Sequence, residues 1–371
     1  MTVHEVRIDR DKTLLDEPST GHNRWHPDIP PVVRCAPGDE VVLETRDALD
    51  GQVQPDSDIS AVATANLDVV HPLTGPVHVE GAEPGDLLEV EILEVAPEPF
   101  GFTVEIPGFG FLRDDFPEPF MVRWDIADGW ATSDDLPGVR VPGAPFLGTI
   151  GLAPGREGLA ATTAREQELA DRGGPVLPPL ADGAVPSAPH IASEALRTIP
   201  PRAQGGNIDI KQTGAGTTML FPVDAPGGLF SVGDAHFAQG DSETCGTAIE
   251  MGATARVRFG LRKNEAAEKG ITDVRFSRTE YFAPPEYAVP RRFVATTGLS
   301  VTRDGENRGE DLTLATRNAL LNMIDLLGER GWTRQQAYAI CSVAVDLKVS
   351  QVVDVPNLLV SAFLPEDIFV G

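Results

Sequence analysis

Cysteine is scarce in this chain of 371 residues. The three cysteines, Cys35, Cys245 and Cys341, are far apart in the sequence, and none of them belongs to a CxxC pair. An odd number of cysteines at these spacings matches neither a disulfide framework nor a thiolate zinc site. The cysteine content therefore predicts a reducing compartment.

Positive charge and long apolar runs are scarce as well. The chain has 30 lysines and arginines against 56 aspartates and glutamates, which gives a formal net charge of −26 at pH 7. Binding to nucleic acid or to an anionic membrane surface needs clustered positive charge. No run approaches the roughly 18 apolar residues of a membrane span, and the N-terminal sequence is charged where a signal peptide is apolar. We therefore expect a cytoplasmic protein that binds neither nucleic acid nor membranes and acts on a small neutral or cationic molecule.

Several catalytic signatures are missing from the sequence. The chain has no GxxxxGK[ST] phosphate loop, no Rossmann glycine pattern after a strand and no GxSxG nucleophile elbow. The glycine- and serine-rich stretch of Ser-Ser-Lys amidases is also absent. These absences argue against nucleotide hydrolysis, dinucleotide chemistry and the commonest serine hydrolases and amidases.

Short alternating runs between turns are present in the first third of the chain and again beyond its middle. A Pro-Gly-Asp turn at 84–86 precedes LLEVEILEV, in which apolar residues alternate with glutamate. Alternation with a period of two predicts strands with one buried face. The stretch TTMLFPVDAPGGLFSVGDAHF predicts two more strands around a Pro-Gly-Gly turn. The predicted fold class is therefore mostly β, with β-sandwich or barrel layers and a smaller α+β portion near the C-terminus.

Helical periodicity is found late in the chain. Apolar residues recur at i, i+3 and i+4 from Leu312 to Leu327, behind a candidate N-cap at Asp311. Thr333 and Gln336 have the spacing of a capping box and predict the start of a second helix. The final stretch SQVVDVPNLLVSAFLP predicts two short strands.

Composition divides the chain into four predicted parts. Because 371 residues exceed the usual size of one hydrophobic core, two or three subdomains are expected. The parts are an N-terminal β subdomain (1–150), a Pro-, Ala- and Gly-rich excursion with one polar helix (151–204), a β subdomain with the active-site motifs (205–305), and two helices with closing strands (306–371).

Several long sequence blocks, in one order, resemble the acetamidase/formamidase family. The central blocks are GGNIDIK, SVGDAHFAQGD and CGTAIE, and further blocks are HNRWHPDIPPV, HPLTGPVHVEGAEPGD, RTIPPRAQGGN and SQVVDVPN. Together they cover nearly the whole chain and are similar to the formamidase-like branch. The resemblance implies a β-rich fold with a smaller α+β part near the C-terminus, metal-associated homo-oligomers and the hydrolysis of small amides.

The reaction that this resemblance implies has three chemical requirements. Amide hydrolysis needs an activated water, a polarising partner for the carbonyl oxygen and an acid that protonates the departing nitrogen. A zinc ion with histidine and carboxylate ligands can meet the first two requirements. We therefore expect a divalent metal cofactor, with zinc as the first candidate.

Polar residues in the central stretch are candidate ligands for this metal. Asp234 and His236 form a D-x-H pattern on a predicted strand, which places both side chains on one face. Asp209 has the same spacing to Asn207, and paired glycines precede both. We predict metal ligation by Asp209, Asp234, His236 and His71, which heads the HPLTGP block. The alternative roles are turn caps for the aspartates and core or capping positions for the histidines.

Further polar residues are candidates for proton transfer, charge stabilisation and substrate binding. Glu243 lies in the glycine-bracketed loop QGDSETCG after the D-x-H strand, where it could act on the attacking water. Lys211 could stabilise an oxyanion, and Glu80 lies beside a glycine turn at a predicted strand end. The alternative for all three is a solvent-exposed side chain. The predicted substrate contacts are Asn207, Gln239 and Phe237.

Cys245 leaves a second amidase mechanism open. Cys, Glu and Lys form the nucleophilic set of nitrilase-type amidases, but such folds need long alternating helices that this sequence lacks. The resemblance to the acetamidase/formamidase family thus implies a homo-oligomer, dimer or trimer, that hydrolyses formamide or acetamide to the carboxylic acid and ammonia. A γ-lactam presents the same carbonyl group and is an alternative substrate. A non-catalytic β-sandwich ligand-binding module is the alternative from another class.

Overall fold

The computed structural model describes residues 1–280 and 292–370. Strands predominate in these residues, and two of the three longest helices lie near the C-terminus. The predicted fold class is therefore confirmed. The strands are β1 (Val3–Val6), β2 (Gly21–His22), β3 (Arg24–Trp25), β4 (Val33–Cys35), β5 (Glu40–Thr45), β6 (Leu73–Val79), β7 (Leu87–Glu105), β8 (Phe120–Ala127), β9 (Trp130–Thr132), β10 (Arg140–Pro142), β11 (Phe146–Leu152), β12 (Leu196–Arg197), β13 (Gly205–Asn207), β14 (Thr217–Pro222), β15 (Phe230–His236), β16 (Glu250–Arg262), β17 (Arg275–Arg278), β18 (Phe293–Leu299), β19 (Asp346–Gln351) and β20 (Leu359–Pro365). The helices are α1 (Ser60–Ala63), α2 (Arg156–Asp171), α3 (Pro189–Ala192), α4 (Glu265–Lys269), α5 (Leu312–Glu329) and α6 (Arg334–Ala344), and a 3-10 turn covers Glu366–Ile368.

One sheet of 15 strands is the framework of the molecule. Its main path runs β10-β9-β8-β7-β16-β15-β11-β13. The 19-residue strand β7 pairs with β8, β14 and β16, and in it Leu88, Val90 and Ile92 are buried while the intervening glutamates are half-buried. Strands from the predicted parts 1–150 and 205–305 pair within this sheet, and the domain boundaries stay a prediction.

The C-terminal helices begin at the residues that the sequence predicts. The Asp311 side chain accepts a hydrogen bond from Leu314 N at the start of α5. Thr333 and Gln336 form the predicted capping box of α6. Helix α5 ends at Glu329, and a three-stranded sheet ordered β18-β20-β19 packs against it. The two closing strands are β19 and β20, and most of the SQVVDVPN block forms the loop between them.

The segment 151–204 contains the predicted polar helix, α2. This helix buries only Leu159 and Thr162, which agrees with its polar sequence. Glu166 on α2 forms an ion pair with the buried Arg202 at 2.9 Å, and this pair holds the helix on the segment that follows it. Within residues 1–280 and 292–370, no helix has the length and apolarity that a membrane crossing needs.

Strand register brings distant parts of the chain together at the C-terminal end of β15. His236 lies opposite Phe146 on β11 and opposite Glu250 on β16. On the edge of β15 that faces away from β11, next to the pairing with β16, Gly233 lies opposite Leu73, the first residue of β6. The segment that follows β13 lies against β11, where the Asp209 N–H donates a hydrogen bond to the Gly148 carbonyl oxygen at 3.2 Å. The polar residues next to these positions form the site described below.

Candidate active site and metal centre

A buried cluster of acidic and imidazole side chains lies at this end of β15. Asp234 and His236, both on β15, are 3% and 0% exposed, and His236 Nε2 is 3.4 Å from Asp234 Oδ1. His71 Nε2 is 3.9 Å from Asp234 Oδ2. Ligand atoms of Asp209, Asp234 and His236 lie within 4.8 Å of one another. The structure thus brings together the four residues that the sequence analysis selected as metal ligands.

Two glutamates complete the cluster. Glu243 Oε1 lies 3.9 Å from His236 Nε2, and Glu250 Oε2 lies 3.1 Å from the same nitrogen. The sequence analysis selected Glu243 and missed Glu250, although Glu250 ends the quoted block CGTAIE. Only the pairing of β15 with β16 places Glu250 opposite His236. The clue in the sequence was that block, because a carboxylate on a strand facing the D-x-H strand is a natural further ligand.

The backbone around the cluster is unusual. Asp209, Asp234 and Glu243 have φ values of 45°, 54° and 47°, in the left-handed region that few non-glycine residues adopt. Gly148 on β11 borders the cluster, and a Cβ atom there would lie 2.6 Å from Asp209 Oδ1 and 2.7 Å from His236 Cε1. Such backbone strain persists only where the surrounding structure enforces it, and it concentrates at functional sites.

Gln239 orients His236. Its Oε1 lies 3.1 Å from His236 Nδ1, and its Nε2 donates a hydrogen bond to the Asp209 carbonyl oxygen at 2.9 Å. Because an amide oxygen can only accept, His236 Nδ1 carries a proton in this bond. Both ends of the Gln239 amide therefore bind protein atoms. The sequence analysis predicted Gln239 as a substrate contact, and the structure places it beside the candidate ligand His236.

The other two predicted substrate contacts also face protein atoms. Thr149 Oγ1 lies 2.7 Å from Asn207 Oδ1 and 3.1 Å from Asp234 Oδ2, so Asn207 belongs to the hydrogen-bond network of the cluster. Phe237 is 1% exposed, and its ring packs directly against Gly143. We interpret Phe237 as a core residue, because a ring with so little exposed surface has none left for a substrate.

Lys211 pairs with two carboxylates that do not belong to the cluster. Its ammonium group pairs with the Asp346 carboxylate at the start of β19 and lies 3.7 Å from Asp241 Oδ1. The side chain is 11% exposed. The predicted role of Lys211 as an oxyanion partner therefore does not enter the mechanism proposed below.

Glu80 is also distant from the cluster. It is exposed and follows the last residue of β6. Leu73, at the first position of β6, faces Gly233 beside the cluster. Seven further residues at a strand rise of about 3.3 Å place Glu80 roughly 23 Å along the strand from Leu73. The predicted catalytic role of Glu80 has no support in this position, and we do not retain it.

Burial and mutual repulsion dominate the electrostatics of the cluster. Burial raises the pKa of Asp209 to about 7, and the neighbouring Asp234 carboxylate adds to the effect. Burial also raises the pKa of Glu250 to about 7, although His236 opposes this. Burial and then the charge of Asp209 raise the pKa of Glu243 well above its usual range. Carboxylates packed in this way repel one another unless protons or a cation lie between them.

The cluster fits a divalent cation. Among the described residues, the buried atoms Asp209 Oδ1, His236 Nε2 and Glu250 Oε2 make no well-oriented hydrogen bond, although His236 Nε2 and Glu250 Oε2 are in ion-pair contact at 3.1 Å. Buried polar atoms are normally satisfied, so unsatisfied ones that meet at one place indicate a missing partner. Imidazole nitrogen and carboxylate oxygen are ligands that zinc accepts. A cation would also relieve the repulsion among the carboxylates.

Comparison with known proteins identifies the family. A model of the "Acetamidase/Formamidase family" matches residues 7–370. The chain belongs to this family. It is 37% identical to a formamidase of Methylophilus methylotrophus over 98% of this chain and 93% of that protein, and 38% identical to an acetamidase of Mycolicibacterium smegmatis over 90% of this chain and 87% of that protein. The resemblance predicted from the sequence blocks is confirmed.

A solved structure gives the same result for the fold. A gamma lactamase from Delftia acidovorans aligns with a TM-score of 0.93 and 36% identity, over 99% of this chain and 93% of that chain. The alignment therefore includes the sheet, the C-terminal helices and the strands that hold the cluster. The acetamidase/formamidase fold extends over the whole described chain.

Cys245, the candidate for a thiol mechanism in this family member, is 1% exposed. Its Sγ lies 3.5 Å from the Thr247 carbonyl oxygen and 3.6 Å from that of Val104. Burial raises the pKa of the thiol to about 12, and Glu105 adds to this effect. Only the thiolate is an effective nucleophile, so this environment argues against nucleophilic attack by Cys245.

We expect Cys245→Ala to retain turnover within about tenfold of the wild type, with a loss of roughly 1 kcal/mol in the free energy of unfolding, because the change removes one buried sulfur and leaves the cluster intact. The measurements are kcat, metal content and denaturant unfolding. Cys341→Ala is a matched control, since Cys341 is also buried and lies on α6. A Cys245→Ala protein that is folded, fully metallated and inactive would overturn the water-based mechanism.

Proposed function

We propose that the chain hydrolyses a small linear amide, formamide or acetamide, to the carboxylic acid and ammonia with the help of a divalent metal ion. Family membership and the named relatives support an amidohydrolase acting on small amides. The observation that supports the mechanism is the buried cluster around His236. Its carboxylate and imidazole groups lie close together, and several of their polar atoms make no well-oriented hydrogen bond.

The metal site that we propose uses the residues of this cluster. Asp209, Asp234 and His236 would hold the ion, and His71 and Glu250 lie beside them as further candidate ligands. Zinc is the first candidate because the donors are imidazole nitrogen and carboxylate oxygen. When bound, such an ion supplies a Lewis acid that polarises the amide carbonyl and lowers the pKa of water.

Glu243 is the proposed proton carrier. Its side chain is 15% exposed, so it is the more accessible of the two glutamates next to His236, because the Glu250 side chain is 2% exposed. We propose that Glu243 Oε1 accepts a proton from the attacking water and returns it to the departing nitrogen, so that ammonia leaves as a neutral molecule. The raised pKa of Glu243, which burial and then Asp209 cause, suits the second step, in which the glutamic acid holds the proton and returns it to the nitrogen. A cation bound beside it would favour the carboxylate that the first step needs.

Gln239 and the carboxylates around His236 have a supporting role. The bond from His236 Nδ1 to Gln239 Oε1 leaves Nε2 facing Asp234 and Glu250. Residues that orient a ligand in this way fix its tautomer and ring position. The metal ion would therefore meet ligand atoms that are already in position.

A panel of amides tests this function. We expect the purified, metal-analysed protein to release ammonia from formamide or acetamide, to lose that activity when a chelator removes the metal, and to regain it when zinc is restored. Parallel thermal unfolding shows whether the chelated protein is still folded. A metal-replete protein without turnover on any amide would favour a non-catalytic binding module.

A cyclic amide is the second candidate substrate. The solved structure with a TM-score of 0.93 is named a gamma lactamase, which supports including a γ-lactam in the panel. Ring opening is followed as the free amino acid, since no ammonia is released from a lactam. A kcat/KM for the lactam above that for formamide and acetamide would reverse our order of substrates. The homo-oligomeric state and the cytoplasmic compartment stay predictions from the sequence.

A further inference from the structure

The loop that carries Glu243 is bound along its length by the last helix. Residues 240–247, here called the site loop, connect β15 to β16 and lie against α6. The Tyr338 hydroxyl donates a hydrogen bond to the Thr244 carbonyl oxygen, and Ser342 Oγ donates to the Thr247 carbonyl oxygen at 2.6 Å. Tyr338 and Ser342 are four residues apart, so they lie on one face of α6. This face fixes the second half of the site loop.

Asp346 extends this set of contacts to the first half of the loop. It lies four residues after Ser342, at the first position of β19. Its Oδ1 accepts a hydrogen bond from Asp241 N at 3.1 Å and another from Lys211 Nζ. The Leu347 N–H donates to the Asp241 carbonyl oxygen at 3.3 Å. One carboxylate oxygen therefore binds two separate segments of the chain.

These two segments contact each other directly, since Gln212 Nε2 donates a hydrogen bond to Asp241 Oδ1 at 3.2 Å, and each segment carries one acid of the cluster. Lys211 follows Asp209 by two residues, and Asp241 precedes Glu243 by two residues. The cluster contains two overlapping groups of candidate ligands: Asp209 belongs to one with Asp234 and His236, and Glu243 to the other with His236 and Glu250. A bridge from Asp346 to both segments therefore constrains the separation of the Asp209 and Glu243 carboxyl groups, although Asp346 itself does not belong to the cluster.

The site loop needs such external contacts because its backbone is strained. Ser242 and Glu243 have φ values of 103° and 47°, which are costly for residues with a side chain. Gly240 packs so closely on the end of α6 that a Cβ atom there would lie 2.4 Å from the Val345 carbonyl oxygen. The junction of α6 with β19 is therefore one of the contacts that hold the loop in this conformation, together with the hydrogen bonds from Phe111 N to the Thr244 carbonyl oxygen and from Thr247 Oγ1 to the Val104 carbonyl oxygen.

We propose that Asp346 is a positioning residue for amide hydrolysis. Through Lys211 and the Asp241 amide, it sets the position of Glu243 relative to Asp209. The inference rests on the proposed function, since it is the proton transfer by Glu243 that needs this position. Displacement of a reacting group by about 1 Å can lower a rate by roughly 10²-fold, so the bridge is expected to affect kcat far more than folding.

The test compares Asp346→Ala with Asp135→Ala. Asp135 is a matched control: its side chain is 25% exposed, against 28% for Asp346, and like Asp346 it accepts hydrogen bonds from one backbone N–H and one cationic side chain, both of Arg123 on β8. We expect Asp346→Ala to lower kcat by about tenfold or more with KM within about threefold and metal content unchanged. Asp135→Ala should keep wild-type kcat with a similar loss of thermal stability, because its partner belongs to β8 and not to the site loop.

Two more variants separate positioning from general destabilisation. Asp346→Asn keeps an oxygen that can accept from the Asp241 amide but loses the charge opposite Lys211, so its kcat should lie between wild type and Asp346→Ala. Lys211→Ala combined with Asp346→Ala should lower kcat by less than the product of the two single effects, because both changes break one bridge. Fully multiplicative effects would contradict a shared bridge.

The outcomes distinguish this inference from the proposed function. If the wild-type, metal-replete protein hydrolyses no small amide, the proposed function fails, and the inference fails with it. If the wild type is active and Asp346→Ala has the same kcat, the inference alone is overturned. A fall in kcat that tracks metal loss, or that Asp135→Ala reproduces, also overturns it.

Discussion

His236→Ala is expected to remove bound metal and amide turnover together. His236 Nε2 lies within 4 Å of Asp234, Glu243 and Glu250, so it is the residue shared by both candidate ligand groups. Loss of a residue that only orients a ligand typically costs 10–100-fold, and loss of the ligand itself should therefore cost more than about 10²-fold in kcat. Metal analysis of the dialysed protein and the amide panel measure the two effects.

His22→Ala is the matched control for this substitution. His22 is 1% exposed, and its Nε2 lies 2.7 Å from Ser231 Oγ on the same strand, β15, that carries His236. It is thus another buried histidine bonded in the same region but outside the cluster. We expect His22→Ala to lower the melting temperature and to keep its metal. A His236→Ala protein with a full complement of metal and normal turnover would remove His236 from the proposed site.

The fold class was predictable because its signals are local. Alternation in LLEVEILEV corresponds to the buried and half-buried residues of β7, and the caps at Asp311 and Thr333 begin the two C-terminal helices. The length of β7 was not predictable in the same way. It continues to Glu105 because β8 and β16 pair with its second half, and such pairing joins residues that are far apart in sequence.

The site was predictable to the extent that it depends on single strands. The D-x-H pattern places Asp234 and His236 together, because residues two apart on a strand share a face. Glu250 was missed because it reaches His236 only through strand register. The partner of Lys211 was unpredictable for the same reason, since Asp346 lies 135 residues further along the chain.

Glu243→Gln is expected to keep the metal and to lower kcat by about 10² or more. Glutamine has nearly the same size and shape as glutamate and keeps one carbonyl oxygen in place, but it cannot accept a proton from water and return it to the departing nitrogen. General acid–base catalysis typically contributes 10²–10⁴-fold, so the loss should fall in this range. The measurements are metal content, kcat and KM on whichever amide the wild type hydrolyses.

Glu44→Gln is the control for this change. The Glu44 side chain is 16% exposed, against 15% for Glu243, and it pairs with Arg7 on the N-terminal strand side of the sheet. It should keep wild-type kcat, because the change alters only the ion pair with Arg7 and the hydrogen bond from Ile8 N, and neither involves a cluster residue. If the interaction of Glu243 is made in the transition state, kcat and kcat/KM will fall together while KM stays nearly constant.

Loss of metal from Glu243→Gln would instead identify Glu243 as a ligand. In that case the proton must be carried by another cluster group, and Glu250, whose pKa burial raises to about 7, is the carboxylic acid closest to His236 Nε2 that could do so.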